Sequence, residues 1–107
     1  MSSVVMHAVL LNAETTGDAY GPWTAVGAAV PGSLSIHVDN ISAAEKVKLY
    51  ITNELVPTTA HQVLFGSELT ADGFVKAEVS PRWIRAQLSA VGAGAAITVW
   101  ASWLELV

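Results

Sequence analysis

The stretch SLSIHVDNISAAEKVKLYIT, residues 33–52, decides the fold class. Over residues 33–39, Leu34, Ile36 and Val38 share one face, while Ser33, Ser35, His37 and Asp39 share the other. Residues 46–52 repeat the pattern, with Val47, Leu49 and Ile51 inward and Lys46, Lys48, Tyr50 and Thr52 outward. A period of two is the mark of strands with one buried face. Between the two runs, Asn40 starts a turn, and Ser42 with Glu45 matches a capping box that allows one helical turn. A long helix does not fit, because β-branched alternation resumes at once.

The pattern extends outward from this centre. The segment SPRWIRAQLSAVGAGAAITVWASW, residues 80–103, holds two more alternating runs. In the first, Ile84, Ala86, Leu88 and Ala90 face in, and Trp83, Arg85, Gln87 and Ser89 face out. Gly92-Ala93-Gly94 joins the runs and reads as a hairpin turn whose glycines supply positive φ. It is no phosphate loop, since no helix follows it. Ser80-Pro81 interrupts a ladder, and Asp72-Gly73 signals a turn. Residues 4–11, 23–30, 61–67 and 74–79 are further candidate strands. About eight short strands with Gly, Pro, Asp and Asn between them predict an all-β fold, an antiparallel β-sandwich or jelly roll. The expected core includes Leu34, Ile36, Val38, Val47, Leu49, Ile51, Ile84, Leu88, Ile97 and Val99.

Composition bounds the role. At 107 residues the chain is read as a single domain, residues 1–107, with no linker or internal repeat. Charged residues make up 13% and hydrophobic ones 52%, so a small domain is left with apolar surface that association would cover. The net charge of −4 and five scattered Lys and Arg argue against nucleic-acid binding, which needs clustered cations. Without cysteine there is no disulfide or thiolate metal site, and the fold rests on packing or assembly. The apolar run at 4–11 is preceded by no Lys or Arg and is too short to span a membrane, so it is read as part of the fold.

Both ends of the chain are apolar on both faces. In residues 4–11, Val4, Met6, Ala8 and Leu10 oppose Val5, His7, Val9 and Leu11. Near the other end, Ile97, Val99, Ala101 and Trp103 oppose Thr98, Trp100, Ser102 and Leu104. Two readings stay open: central strands of the sandwich, or a segment, residues 1–11, that pairs with a neighbouring subunit and hides a sticky edge.

Chemistry-bearing groups are sparse. His7, His37 and His61 lie on separate runs without metal-ligand spacing, and are read as surface or interface residues. No nucleophile motif occurs, and the acids are placed in turns or on solvent faces, so the expectation is no enzyme, catalytic residue, metal or cofactor. Asn40-Ile41-Ser42 is formally a glycosylation sequon with nothing else pointing to secretion. The tryptophans weigh more. Trp83 and Trp100 fall on the less apolar faces of their runs, and would share one exposed surface if those strands were neighbours. Arg82 and Arg85 flank Trp83, a combination that favours a protein interface over a sugar platform. The candidate interface residues are Val5, Val9, Leu11, Trp83, Arg85, Trp100 and Trp103.

The succession of a Trp23 segment after Gly21-Pro22, then SLSIHVDN, ADGFVKAEV, PRWIRAQLSA and AITVWASW, resembles small β-sandwich head-decoration or cement proteins of tailed bacteriophages. Arg82-Trp83-Ile84-Arg85-Ala86 and Ala96-Ile97-Thr98-Val99 carry the resemblance over roughly residues 20–103, and the Val56-Pro57-Thr58-Thr59 connection and the extra Trp100 and Trp103 depart from it. It implies a structural virion protein without activity or cofactor, made in the host bacterial cytoplasm. Such a protein binds the major capsid protein on the outside of the lattice, with no nucleic-acid or membrane partner, and self-associates as a homotrimer. The alternative is a glycan- or receptor-binding module of a phage tail or fibre.

Overall fold

The computed structural model describes residues 2–41, 44–78, 81–92 and 96–107. Alternation becomes strand where it was cleanest. The strands are β1 (Ser3–Glu14), β2 (Thr24–Ala25), β3 (Ser35–Asp39), β4 (Lys46–Thr52), β5 (Val63–Leu64), β6 (Gly73–Lys76), β7 (Trp83–Ala90) and β8 (Ile97–Leu106). A 3-10 turn, Thr59–His61, lies between β4 and β5. The expected strands at 23–30 and 61–67 shrink to two residues each, the remainder being turns.

Two antiparallel four-stranded sheets result, in the orders β1-β8-β3-β6 and β2-β7-β4-β5. β1 pairs with β8, β2 with β7, β3 with β6 and β4 with β5. The chain thus pairs outward from its middle as a doubled ribbon, and rolling that ribbon up gives a jelly roll. All connections except β4 to β5 pass from one sheet to the other. This corrects the hairpin expected at Gly92–Gly94: β7 and β8 lie in different sheets, each turning its apolar side toward the other across the core. Ala93 and Gly94 of the turn, the capping-box Ser42 and the Ser80 break lie outside the described residues.

The core holds Leu34, Ile36, Val38, Val47, Leu49, Ile84, Leu88, Ile97 and Val99, as the alternation predicts. Ile51 is only half-buried, since it borders an open groove beside β5. Two interface candidates also belong to the core. Leu11 is buried because the β1–β8 register shifts between Val9 and Leu11, which turns Leu10 and Leu11 inward in succession. Trp103 is buried at the inner face of β8, where its indole Nε1 donates to Glu105 Oε2 at 2.8 Å and Val30 N–H donates to Leu104 O at 2.7 Å alongside. Neither is a surface contact of this chain. Glu45, expected in a solvent-facing turn, is buried too, its carboxylate accepting from Ala44 N–H at 3.3 Å.

One glycine is dictated by space. Residues 18–21 run along the edge of β7, with Gly21 N–H donating to Ala86 O at 2.8 Å and Leu88 N–H to Ala19 O at 3.0 Å. A Cβ on Gly21 would lie 1.6 Å from Leu10 O, so this strap passes β1 only because position 21 has no side chain.

Candidate functional site

Exposed apolar residues form an ordered row on the outward side of the β1-β8-β3-β6 sheet, while a second exposed group, Leu55, Val56, Val63 and Leu64, lies along β5 and the connection before it. Residues opposite one another in an antiparallel ladder point to the same face. Val9 lies opposite Trp100, Trp100 opposite His37, and His37 opposite Phe74, so one row crosses all four strands. The next row is His7, Ser102, Ser35 and Lys76, and beyond it Val5 lies opposite Leu104. Val5 is 55% exposed, Val9 54% and Phe74 66%. The rings are stacked: His37 lies 5.2 Å from Trp100 at 6° and 5.4 Å from Phe74 at 26°. β8 and β6 flank β3 on opposite sides, so both faces of the imidazole are occupied. In the second row His7 Nδ1 and Ser102 Oγ are 2.9 Å apart.

Of the seven candidates, Val5, Val9 and Trp100 come together here. His37 and Phe74 complete the row without having been singled out. The signal that could find them is cross-strand register, which joins residues from four distant parts of the chain.

Trp83 and Arg85 lie elsewhere, on the outward side of the β2-β7-β4-β5 sheet, so Trp83 and Trp100 do not share a surface. Arg85 corrects a second expectation, for it is only 8% exposed. Its guanidinium carbon stands 3.7 Å from the Tyr20 ring centre and 4.3 Å from that of Trp23. Nε donates to Gln62 Oε1 at 3.1 Å, and Nη2 donates to Gln62 Oε1 at 2.5 Å and to Thr59 Oγ1 at 2.9 Å. Gln62 Nε2 in turn donates to the Tyr20 hydroxyl at 3.1 Å. Burial pulls the guanidinium below its ordinary pKa, and the Tyr20 and Tyr50 hydroxyls push it back up. The ion holds two loops to the sheet: the 18–23 strap and the 54–62 connection, where Trp83 Nε1 also donates to Glu54 O at 3.1 Å. Arg85 is a clamp, its Nε and Nη2 donors turned to partners inside the chain.

An open groove of about 490 Å³ lies beside that connection, between Ile51, Glu54, Leu55, His61 and Val63. It brings His61 Nδ1 within 3.4 Å of Glu54 Oε1, a pair that sequence spacing did not suggest. Among the described residues, no three His, Asp or Glu side chains gather as a metal ion would require.

No protein-family model matches the chain, and no curated protein matches it in sequence. In three dimensions it is similar to the crystal structure of the SPBc2 prophage-derived protein YomS, with a TM-score of 0.65 and 14% identity over 98% of this chain and 96% of that one. At that identity the likeness establishes a shared fold.

Proposed function

We propose that this protein is a structural component of a bacteriophage virion that docks on a repeating protein surface, namely the outside of a capsid lattice built from the major capsid protein. It is produced in the host bacterial cytoplasm and acts without catalysis. The observation that carries this reading is the row Val9, Trp100, His37 and Phe74, which runs across a whole sheet and faces solvent. Each exposed apolar side chain that a partner buries contributes about 1.5–3 kcal/mol, whereas a surface ion pair contributes under about 1 kcal/mol. A decoration protein stabilises a shell by binding its assembled subunits in preference to free ones. The low charge of the chain and a fold shared with a prophage-derived protein support the same reading.

A second reading, a glycan-binding module of a tail or fibre, draws on the polar row His7, Ser102, Ser35 and Lys76 beside the rings. Stacking on a sugar needs a free ring face, and His37 has none. Purified chain titrated against empty shells separates the two. Saturable binding at lattice sites is expected. Signals on a glycan array without shell binding would replace the first reading by the second.

A further inference from the structure

β1 ends its sheet, so among the described residues one of its edges has no strand beside it. Hydrogen bonding shows which backbone groups stand on that edge. Val107 N–H donates to Ser2 O at 3.1 Å, in line with the register that sets Ser3 opposite Leu106. Bonded and non-bonded pairs alternate along an antiparallel ladder. Residues 2, 4, 6 and 8 therefore turn their N–H and C=O toward β8, and Ser3, Val5, His7 and Val9 turn theirs to the open edge. The same alternation directs Leu104 away from β1, and its carbonyl does accept from Val30 N–H at 2.7 Å.

The devices that guard an exposed edge are missing. Residues 2–9 contain no Pro, Lys, Arg, Asp or Glu, and the bulge in β1 comes only after Val9. The segment is also balanced about His7: Val4 mirrors Leu10, Val5 mirrors Val9 and Met6 mirrors Ala8. A two-fold contact pairs residue i with j and j with i, so such a balanced strand is its own complement.

We propose that β1 pairs antiparallel with β1 of a second copy, with the two-fold axis at His7. His7 then opposes His7, and Val5 opposes Val9 of the other copy, as hydrogen-bonded pairs made by the groups already on the open edge. Met6 opposes Ala8 between them. An axis one residue earlier would set Val5 against His7 and lose the apolar match. Charge favours this edge, because copies carrying −4 each repel in general, and residues 2–11 carry no Asp, Glu, Lys or Arg. Area sets the strength. Val4, Val5, Val9, Leu104, Leu106 and Val107 are all exposed around this edge. Their open surface is on the order of 500 Å², the size of a functional patch on a monomer and below the standard of about 800 Å² per partner. The dimer is accordingly concentration-dependent. It joins two sheets into one of eight strands and brings the two outward aromatic rows onto a continuous face. It replaces the trimer implied by resemblance, and it stands whether or not the protein binds a shell.

Sedimentation equilibrium of the purified full chain, from about 1 μM to about 1 mM, tests it directly. The mass is expected to rise from the 11.2 kDa of one chain to twice that value. Val5→Pro removes one edge donor and spares the ladder to β8, so it should raise the dissociation constant tenfold or more with the melting temperature nearly unchanged. Should that variant fail to fold, the register still decides the matter. The chain has no cysteine, so on oxidation His7→Cys should cross-link into dimers across the axis, while Val5→Cys, facing Val9, should not. A mass that stays monomeric throughout, a trimer, a dimer indifferent to Val5→Pro, or equal cross-linking of the two cysteine variants would each overturn the proposal. None of these outcomes bears on binding to shells, which is measured separately.

Discussion

The two sheets of this jelly roll share one core and differ on their outward sides. The β2-β7-β4-β5 sheet turns Trp83, Arg85 and Gln87 outward and then covers them: Tyr20 and Trp23 from one loop and Thr59 and Gln62 from another close over Arg85. The β1-β8-β3-β6 sheet turns Val9, Trp100, His37 and Phe74 outward and leaves Val9 and Phe74 more than half exposed. Polar residues became buried on one side, and apolar residues stayed exposed on the other. A side that satisfies its own ion has less to gain from a partner, while one that keeps rings in water gains by being covered.

Breaking the covered side at its narrowest point has the largest expected effect. Gly21→Ala places a Cβ 1.6 Å from Leu10 O and 2.9 Å from Leu10 C, backbone atoms that cannot turn aside as a side chain could. The strap must lift from β7, taking Tyr20 away from Arg85. A loss of about 4 kcal/mol or more is expected, a size that marks a specific structural insult such as overpacking. Urea unfolding reads it, and a wild-type midpoint for Gly21→Ala would mean that the strap does not pass β1 as described.

Next comes the clamp itself. Arg85→Ala leaves Gln62 and Thr59 without their donor and strips two rings of their cation, which together should lower stability by about 3 kcal/mol. The damage should appear first as cleavage within residues 54–62 by a protease at temperatures below global unfolding. Arg85→Lys should recover less than half of the loss, because an ammonium cannot lie flat between two rings while donating to Gln62 through two nitrogens. Equal protection of that loop in wild type and Arg85→Ala would show that something other than Arg85 holds it down.

These residues also mark where sequence reasoning reached its limit. Period-two alternation fixes which way a side chain points, and so β4, β7 and nearly the whole core were legible. It does not say which strand lies alongside. Trp83 and Trp100 both pointed outward as expected, yet from different sheets, since pairing in a jelly roll joins strands far apart in the chain. Nor does it say what covers an outward residue. Arg85 is buried by Tyr20, Trp23 and Gln62, which are 65, 62 and 23 positions away in the chain, and only the folded chain brings them together. The bulge after Val9 is similarly silent in sequence, and it is what moved Leu11 from a surface candidate into the core.

The smallest effect on stability belongs to the open side. Phe74→Ser removes a ring that is 66% exposed at the end of β6 and loses one stacking contact with His37, so unfolding should change by less than about 1 kcal/mol. Its effect on docking should be larger than its effect on folding. If the row from Val9 to Phe74 is what a shell covers, binding should weaken about tenfold or more, equivalent to about 1.4 kcal/mol. The matched control is Leu64→Ser on the other sheet, a residue 43% exposed that lies opposite the outward Tyr50. It removes comparable apolar surface from the covered side and should leave shell binding unchanged. Two variants with the same stability and different affinities would assign the docking surface to the open sheet. Equal losses from both would show that the chain adheres through exposed apolar area wherever it lies, and the distinction between the two sides would then carry no function.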